Sequence, residues 1–200
     1  MTREKDHWDQ QFRSGSYSAD PTPPAALTRF VDAFPDGRAL DLATGTGRIS
    51  VFLATKGYAV DAVDQSRAGL EIARGRAADR GVTANWIQAD LSTFVVPPET
   101  YDLVTVRSCR VVDRLSDLKA ALCPGGVLFY QDHLRTDEPM DSGPSDDRLR
   151  LAPNELLRAC LDLTVLHYAE FRTVKSTGKT GTYAQVIAQR DPAAPLPDDG

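Results

Sequence analysis

The chain has 200 residues and carries 28 acidic against 23 basic side chains, for a formal charge of −5. This length suits one domain over residues 1–200, with an N-terminal cap over 1–37, a core over 38–190 and a disordered tail over 191–200. The scattered basic residues disfavour a nucleic-acid or membrane partner, and no apolar stretch approaches the roughly twenty residues that span a bilayer. The charged N-terminus leads into no apolar segment, and the cysteines lack metal or disulfide spacing. We therefore expect a cytoplasmic protein with reduced thiols and no metal site.

Aromatic residues mark the N-terminal segment. Trp8 and Phe12 are four residues apart, so one helical turn places both rings on the same face. Two interpretations stay open. The segment could be a short helix that packs its aromatics on the edge of the domain, or a flap over a ligand with Tyr17 near the substrate. After a proline-rich break, a second helix is predicted over Ala25–Phe34.

The next stretch combines a strand, a glycine-bearing turn and the start of a helix. A short apolar run ends at Asp41, the turn Ala43–Gly47 follows, and Arg48–Lys56 has apolar residues on one helical face. Glycine permits unusual backbone angles and lets bare backbone approach a ligand closely. This order of elements is typical of an α/β fold that binds a nucleotide-like ligand.

Two more acidic residues follow predicted strands. Asp64 closes the strand Ala59–Val63, where a carboxylate about twenty residues beyond the glycine turn can accept hydrogen bonds from ribose hydroxyls. The alternative for Asp64 is a solvated loop acid. Asp90 follows the strand Asn85–Gln88 and could accept the exocyclic amine of an adenine, while Leu91 packs beside the ring.

The second half predicts two further parallel strands and a closing hairpin. Residues 135–148 are rich in Asp, Pro, Ser and Gly and predict a mobile loop that could act as a lid. No helix-length segment separates the last two strands, so we expect them to pair antiparallel. The predicted elements are strands over Tyr101–Val106 and Val127–Tyr130, a helix over Pro153–Leu161, and strands over Leu163–Phe171 and Thr182–Gln189.

These pieces together resemble one family, the class I S-adenosylmethionine-dependent methyltransferases. The resemblance runs from about Ala39 to Arg190. It implies a three-layer Rossmann-like α/β fold, with a mostly parallel seven-stranded sheet and an antiparallel C-terminal hairpin strand. It also implies S-adenosylmethionine as the cofactor and methyl transfer as the reaction. The motifs that carry it are Asp41–Gly47, Asp64, Gln88–Asp90, Tyr101–Val104 and Leu122–Gly126.

The resemblance implies a role for each residue that matches a family motif. One position departs from the pattern, because Ala43 stands where the family has its first loop glycine, and its methyl group narrows the approach to the cofactor. The implied cofactor-binding residues are Asp41, Ala43, Thr44, Gly45, Thr46 and Gly47 for the amino-acid end, Asp64 for the ribose, Gln65, Asp90 and Leu91 for the adenine, together with Arg107.

A narrower resemblance, to small-molecule methyltransferases of the tellurite-resistance and thiopurine type, rests on the short length and the leader His7–Phe12. It implies a small, diffusible acceptor. Because the sulfonium cofactor is already activated, the protein mainly has to position the acceptor, and a dedicated base is not required. His133 is the candidate base because its pKa ordinarily lies near neutrality; the alternative is a hydrogen-bonded loop histidine. The candidate substrate-binding residues are Trp8, Tyr17, Arg107, Arg110 and His133.

The two arginines and the overall function each keep an alternative. Arg107 and Arg110 follow a strand end and could bind an anionic acceptor by bidentate hydrogen bonds, or simply offset nearby acids. One rival function is a nicotinamide-dependent oxidoreductase, because two glycines before a helix also suit a dinucleotide. The other is a non-catalytic protein that binds S-adenosylmethionine, which Ala43 leaves open. The oligomeric state stays open as well.

Overall fold

The computed structural model describes residues 2–15, 22–138, 140–174 and 178–191. Within these residues, seven strands form one sheet. They are β1 Arg38–Leu42, β2 Ala59–Asp64, β3 Asn85–Gln88, β4 Tyr101–Arg107, β5 Leu122–His133, β6 Thr164–Val174 and β7 Thr180–Gln189. Their order across the sheet is β3-β2-β1-β4-β5-β7-β6. Tyr17 lies outside the described residues, and so does the predicted tail 191–200 except for Asp191.

The pairing directions confirm the predicted fold class. Strands β1 to β5 pair in parallel, with Leu40 between Asp61 and Val104 in neighbouring strands. β7 runs antiparallel to both of its neighbours, so that Tyr183 lies opposite His133 on one side and Phe171 on the other. Parallel strands require crossover helices, whereas the short connection between β6 and β7 permits the antiparallel pairing.

The helices of the described residues are mostly short, and two are shorter than the sequence predicts. The predicted helix over Ala25–Phe34 becomes a 3₁₀ turn after Phe30, and the one over Pro153–Leu161 is a single short helix. The helices of the described residues are α1 Thr2–Arg13, α2 Ala25–Phe30, α3 Arg48–Thr55, α4 Arg67–Asp79, α5 Leu115–Ala120 and α6 Glu155–Ala159, with 3₁₀ turns at Val31–Ala33, Val112–Arg114 and Asp147–Leu149. No helix among the described residues has the length and apolar character needed to cross a bilayer.

Strand β5 begins earlier than predicted. The segment Cys123–Gly126 has the composition of a turn, yet it continues the strand with a register shift against Tyr101 and Leu103 of β4. Gly126 packs closely here, because a Cβ atom on it would lie 2.9 Å from the carbonyl oxygen of Cys123. The turn-like composition therefore marks an irregularity in a long strand.

Alternate residues of the central strands bury against opposite helical layers. Val104 and Leu128 belong to a core cluster with residues of α5 and α6, whereas Leu103 and Phe129 belong to a second cluster with residues of α2 and α3. A strand covered on both faces is apolar where it is covered, as Leu103–Val104 of β4 and Val127–Tyr130 of β5 are, and most of the polar residues lie toward the carboxyl end. The result is the predicted three-layer arrangement, with the ends of the parallel strands gathered at one edge.

Candidate functional site

A cavity of about 620 Å³ opens at the carboxyl ends of the parallel strands. Open α/β sheets bind ligands at this edge, where the strand order reverses between β1 and β4. Nearly all of the residues predicted from the sequence to bind cofactor line it. These are Asp41, Ala43, Thr44, Gly45, Thr46, Asp64, Gln65, Asp90, Leu91 and Arg107.

Asp41 shapes the glycine turn from beneath. Its side chain is buried, and its Oδ2 atom accepts hydrogen bonds from the hydroxyls of Thr44 (2.7 Å) and Ser50 (2.6 Å). Its Oδ1 atom accepts one from Thr105 of β4 at 2.9 Å. Burial raises the pKa of Asp41, and these hydrogen bonds oppose the rise. The carboxylate thus joins β1, the turn, α3 and β4.

The turn itself holds left-handed backbone. Gly45 has φ 55°, and Ala43 has φ 62° although it carries a methyl group. The left-handed region costs a non-glycine residue roughly 1–2 kcal/mol. Gly47 differs from the other turn residues, because it packs under α4 and does not line the cavity. A Cβ atom there would approach the Cβ atom of Ala73 to 2.6 Å.

Asp64, at the end of β2, is hydrogen-bonded to the glycine turn. Its Oδ2 atom accepts a hydrogen bond from the backbone N–H of Gly45 at 2.7 Å, and its Oδ1 atom accepts one from that of Ser66 at 2.8 Å. Burial is the main cause that raises the pKa of Asp64 to about 6; these two hydrogen bonds oppose the rise, and the negative charges of Asp41 and Asp9 add to it. A carboxyl group with this pKa can change its charge near neutral pH.

The side of the cavity predicted for adenine is held in place by Arg114. This arginine, in the 3₁₀ turn before α5, donates to the backbone oxygens of Leu91 and, at 2.7 Å, of Phe94. Asp90 accepts hydrogen bonds from the backbone N–H and the hydroxyl of Ser92, which lower its pKa. Arg114 lines the cavity as well, and nothing in its local sequence distinguishes it from a surface arginine.

Helix α1 closes the opposite side. Trp8 and Phe12 stack with ring centroids 5.8 Å apart, and both line the cavity. Phe12 is also buried against the domain. The face that packs on the domain therefore also borders the cavity, and the role of the segment as a flap over a ligand stays a prediction. The ligand contact predicted for Tyr17 lies outside the described residues.

The segment after β4 is fixed by Tyr130. Its hydroxyl donates to the backbone oxygen of Cys109 and accepts from the backbone N–H of Val111, each at 2.9 Å. Arg110, between them, lines the cavity and donates to Glu155 at 2.8 Å. Burial raises the pKa of Glu155, but the bonds from Arg110 and the backbone outweigh it and lower that pKa. Arg107 also lines the cavity and donates to Gln131 at 3.0 Å.

His133, the candidate base, does not line the cavity. Its ring lies 4.9 Å from that of Tyr183 and its Nδ1 atom lies 3.3 Å from Oδ1 of Asp132, so its surroundings are those of a buried histidine. Its neighbour Asp132 lines the cavity instead. Adjacent strand residues face opposite sides of a sheet, which is why the choice between them depends on register. Asp132 is a site residue that the sequence analysis missed.

Comparisons with known proteins agree with this architecture. Residues 39–126 match the family model described as a methyltransferase domain. A ubiquinone biosynthesis O-methyltransferase of Actinobacillus pleuropneumoniae is 32% identical over 109 residues, which are 50% of this chain and 47% of that protein. A demethylmenaquinone methyltransferase of Thermus thermophilus is 35% identical over 98 residues, 46% of this chain and 44% of that protein. The chain thus spans about half the length of these curated relatives.

The structure of TehB from Haemophilus influenzae superposes with a TM-score of 0.74 and 19% identity, covering 92% of this chain and 67% of that one. This likeness concerns the fold. Residues 39–126 thus resemble a methyltransferase domain, and the relatives named above carry methyltransferase names. The resemblance seen in the sequence implies S-adenosylmethionine as the cofactor.

The cavity fits that cofactor by size and by the chemistry of its lining. Its volume lies within the roughly 300–1,000 Å³ typical of small-molecule sites. The backbone of Gly45, the carboxylate of Asp64 and the side chains of Asp90 and Leu91 all line it. Backbone groups, a carboxylate and an apolar surface are the kinds of group that suit an amino-acid moiety, a ribose and an adenine.

Proposed function

We propose that the protein transfers the methyl group of S-adenosylmethionine to a small-molecule acceptor. The observation that supports this most is a single cavity, which Asp64 and Asp90 line together with the side chains near the ends of β4 and β5. These are Arg107, Arg110 and Asp132. Cofactor and acceptor can therefore lie in the same enclosure. The similarity to a ubiquinone biosynthesis O-methyltransferase supports an organic acceptor of modest size.

In this proposal the chain binds the cofactor and the acceptor, orients them and excludes water. Asp64 accepts hydrogen bonds from the ribose hydroxyls, Asp90 and Leu91 hold the adenine with Gln65 beside it, and the backbone of residues 43–47 holds the amino-acid end. The cofactor supplies an activated methyl group on a sulfonium centre. Trp8 and Phe12 on α1 cover the cavity, and aligning the two reactants within it supplies much of the rate.

Calorimetric titration with S-adenosylmethionine, its demethylated product and NAD tests the cofactor assignment. We expect binding of the first two and none of NAD. Asp64→Ala should weaken cofactor binding by about 1–3 kcal/mol, because it leaves polar groups of the ribose unpaired. An unchanged dissociation constant for this variant would remove the ribose assignment, and binding of NAD alone would replace the proposal with an oxidoreductase.

A non-catalytic protein that binds S-adenosylmethionine is the second candidate. The observation that favours it is the backbone of Ala43, whose left-handed φ of 62° combines with a methyl group on the cofactor side of the turn. Tight cofactor binding without transfer to any acceptor, including the hydroxy acids considered below, would support this candidate over the enzyme.

A further inference from the structure

Two buried polar atoms on cavity-lining residues have no hydrogen-bond partner. They are Nη1 of Arg110, a donor, and Oδ2 of Asp132, an acceptor. Asp132 is 2% exposed, so water does not readily solvate the second oxygen of its carboxylate. A buried polar group without a partner is destabilising, more so when it is charged, and a bound ligand is one way in which proteins satisfy such a group.

The same two side chains are each fixed by their other polar atom. Nη2 of Arg110 donates to Glu155 at 2.8 Å, and Oδ1 of Asp132 accepts from the backbone N–H of His133 at 2.7 Å. Each group is therefore held in one orientation while one hydrogen-bonding atom is left over. An arrangement of this kind is prepared for a ligand before the ligand arrives.

Tyr130 brings the two groups to one place. Tyr130 and Asp132 are two residues apart on β5 and so share a face of the sheet, about 7 Å apart along the strand. The hydroxyl of Tyr130 holds the residues on both sides of Arg110. Arg110 thus lines the same cavity as Asp132, and Val111 and Leu149 add apolar surface to it.

We propose that the methyl acceptor is a small hydroxy acid, bound through its carboxylate to Arg110 and through its hydroxyl to Oδ2 of Asp132. The inference rests on the proposed function and names the substrate class of that site. Arg107, whose hydrogen bonds go to the neutral side chains of Gln131 and Ser108, adds positive charge that favours an anionic acceptor.

Asp132 is the general base in this proposal. The O–H bond of the acceptor breaks and its proton passes to Oδ2 of Asp132. The oxygen then uses its electron pair to bond the methyl carbon, while the carbon–sulfur bond of the cofactor breaks and leaves its pair on sulfur. The products are a methyl ether and a neutral thioether, and the protonated carboxyl of Asp132 releases its proton to solvent.

Binding is tested on protein saturated with the demethylated cofactor. The probes are the three isomers of hydroxybenzoate, the methyl ester of the isomer that binds best, which keeps the hydroxyl but loses the charge, and benzoate, which lacks the hydroxyl. We expect that hydroxybenzoate to bind at least about tenfold more tightly than either matched compound. The Arg110→Gln variant should bind that hydroxybenzoate no more tightly than its methyl ester. Arg158 is an exposed arginine of α6, and the Arg158→Gln variant should keep the difference in affinity.

Turnover tests the base. Asp132→Asn keeps the hydrogen bond to His133 and should lower kcat for hydroxybenzoate about 10²–10⁴-fold, whereas KM should rise only about tenfold from the lost hydroxyl contact. Asp79→Asn, at the exposed end of α4, is the control.

Equal affinity for acid and ester would overturn the hydroxy-acid assignment, and so would methylation of neutral acceptors alone; in both cases the proposed function survives. Unaltered turnover in Asp132→Asn would overturn the base. Cofactor binding without turnover of any acceptor in the wild type would replace the enzyme with the non-catalytic candidate, and failure of the demethylated cofactor to bind would remove the proposed function itself.

Discussion

The carboxylate of Asp9 in α1 accepts a hydrogen bond from the hydroxyl of Ser66, the N-cap of α4, at 2.6 Å. The same Oδ1 atom accepts from the backbone N–H of Ala68 at 3.0 Å. An N-terminal helix thus completes the cap of a helix almost sixty residues away in the chain. Because α1 also carries Trp8 and Phe12, this contact determines how their rings border the cavity.

Asp9→Ala should lower both stability and cofactor affinity. The substitution leaves the buried donors of Ser66 and Ala68 with one partner fewer, which costs about 1–3 kcal/mol. Denaturant unfolding and calorimetry with S-adenosylmethionine measure the two effects. Asp6→Ala, at an exposed position of the same helix, is the control. Equal losses in both variants would mean that the contact of Asp9 does not hold α1.

Ala43→Gly should stabilise the protein by up to about 1 kcal/mol. Release from left-handed backbone gains roughly 1–2 kcal/mol, and the extra freedom of glycine in the unfolded chain removes about 0.5–1. Ala54→Gly, within α3, is the matched control and should destabilise. Chemical denaturation compares the two changes, and a loss of stability in both would contradict the strain at Ala43. Cofactor affinity should be equal or higher in Ala43→Gly.

Cofactor affinity should fall at mildly acidic pH because of Asp64. Its pKa is about 6 in the folded protein, and a protonated carboxyl accepts the ribose hydroxyls less well. We expect the dissociation constant for S-adenosylmethionine to rise by up to about tenfold per pH unit below pH 6. Titrations between about pH 5 and pH 8 measure this. The Asp64→Asn variant should bind S-adenosylmethionine weakly, and its dissociation constant should not change near pH 6. A change that persisted there in this variant would assign the titration to another group.

The same pKa has the opposite consequence for the folded protein without ligand. Unfolded aspartate has a pKa near 3.9, so the native state binds the proton of Asp64 more tightly. Its contribution to stability is therefore fully present below about pH 4 and is lost as pH rises through about 6, by an amount on the order of 3 kcal/mol. Denaturation of wild type and Asp64→Asn across this range should show the difference between them.

Tyr130→Phe should affect the acceptor end of the cavity alone. The change removes the hydroxyl that bonds the backbone groups of Cys109 and Val111, which costs about 1–3 kcal/mol of stability. Because Arg110 lies between them, KM for the acceptor should rise while cofactor affinity stays constant. Tyr58→Phe, which removes a hydroxyl bonded to Pro35 on the far side of the domain, should leave KM unchanged. A Tyr130→Phe enzyme with normal KM would contradict this role.

The parts of the site predicted from sequence are those that local pattern determines. Asp41, Asp64 and Asp90 each follow a strand that the apolar runs mark clearly, and strand ends meet at one edge in any parallel sheet. The antiparallel hairpin followed from the absence of a helix between two strands. These inferences need only the order and type of the elements.

The parts that the sequence could not supply depend on register and on distant contacts. His133 and Asp132 are adjacent, so which of them faces the cavity depends on the register of β5. The sequence does not determine this register until the pairing of β5 is known. The cap that Asp9 gives to α4 joins residues far apart in the chain. Strand β5 begins before the predicted residue because its glycines allow close packing within a strand. The same composition elsewhere forms a turn.

Strand β7 lies between β5 and β6, although it is the last of the three along the chain. During synthesis, β6 leaves the ribosome before the strand that connects it to the sheet exists. Until Thr180–Gln189 emerges, the edge of β5 is bare, and an unpaired edge invites contacts with other chains. We expect the sheet to be completed by docking of the β6–β7 hairpin on β5, so the bare edge of β5 can contact other chains until β7 becomes available.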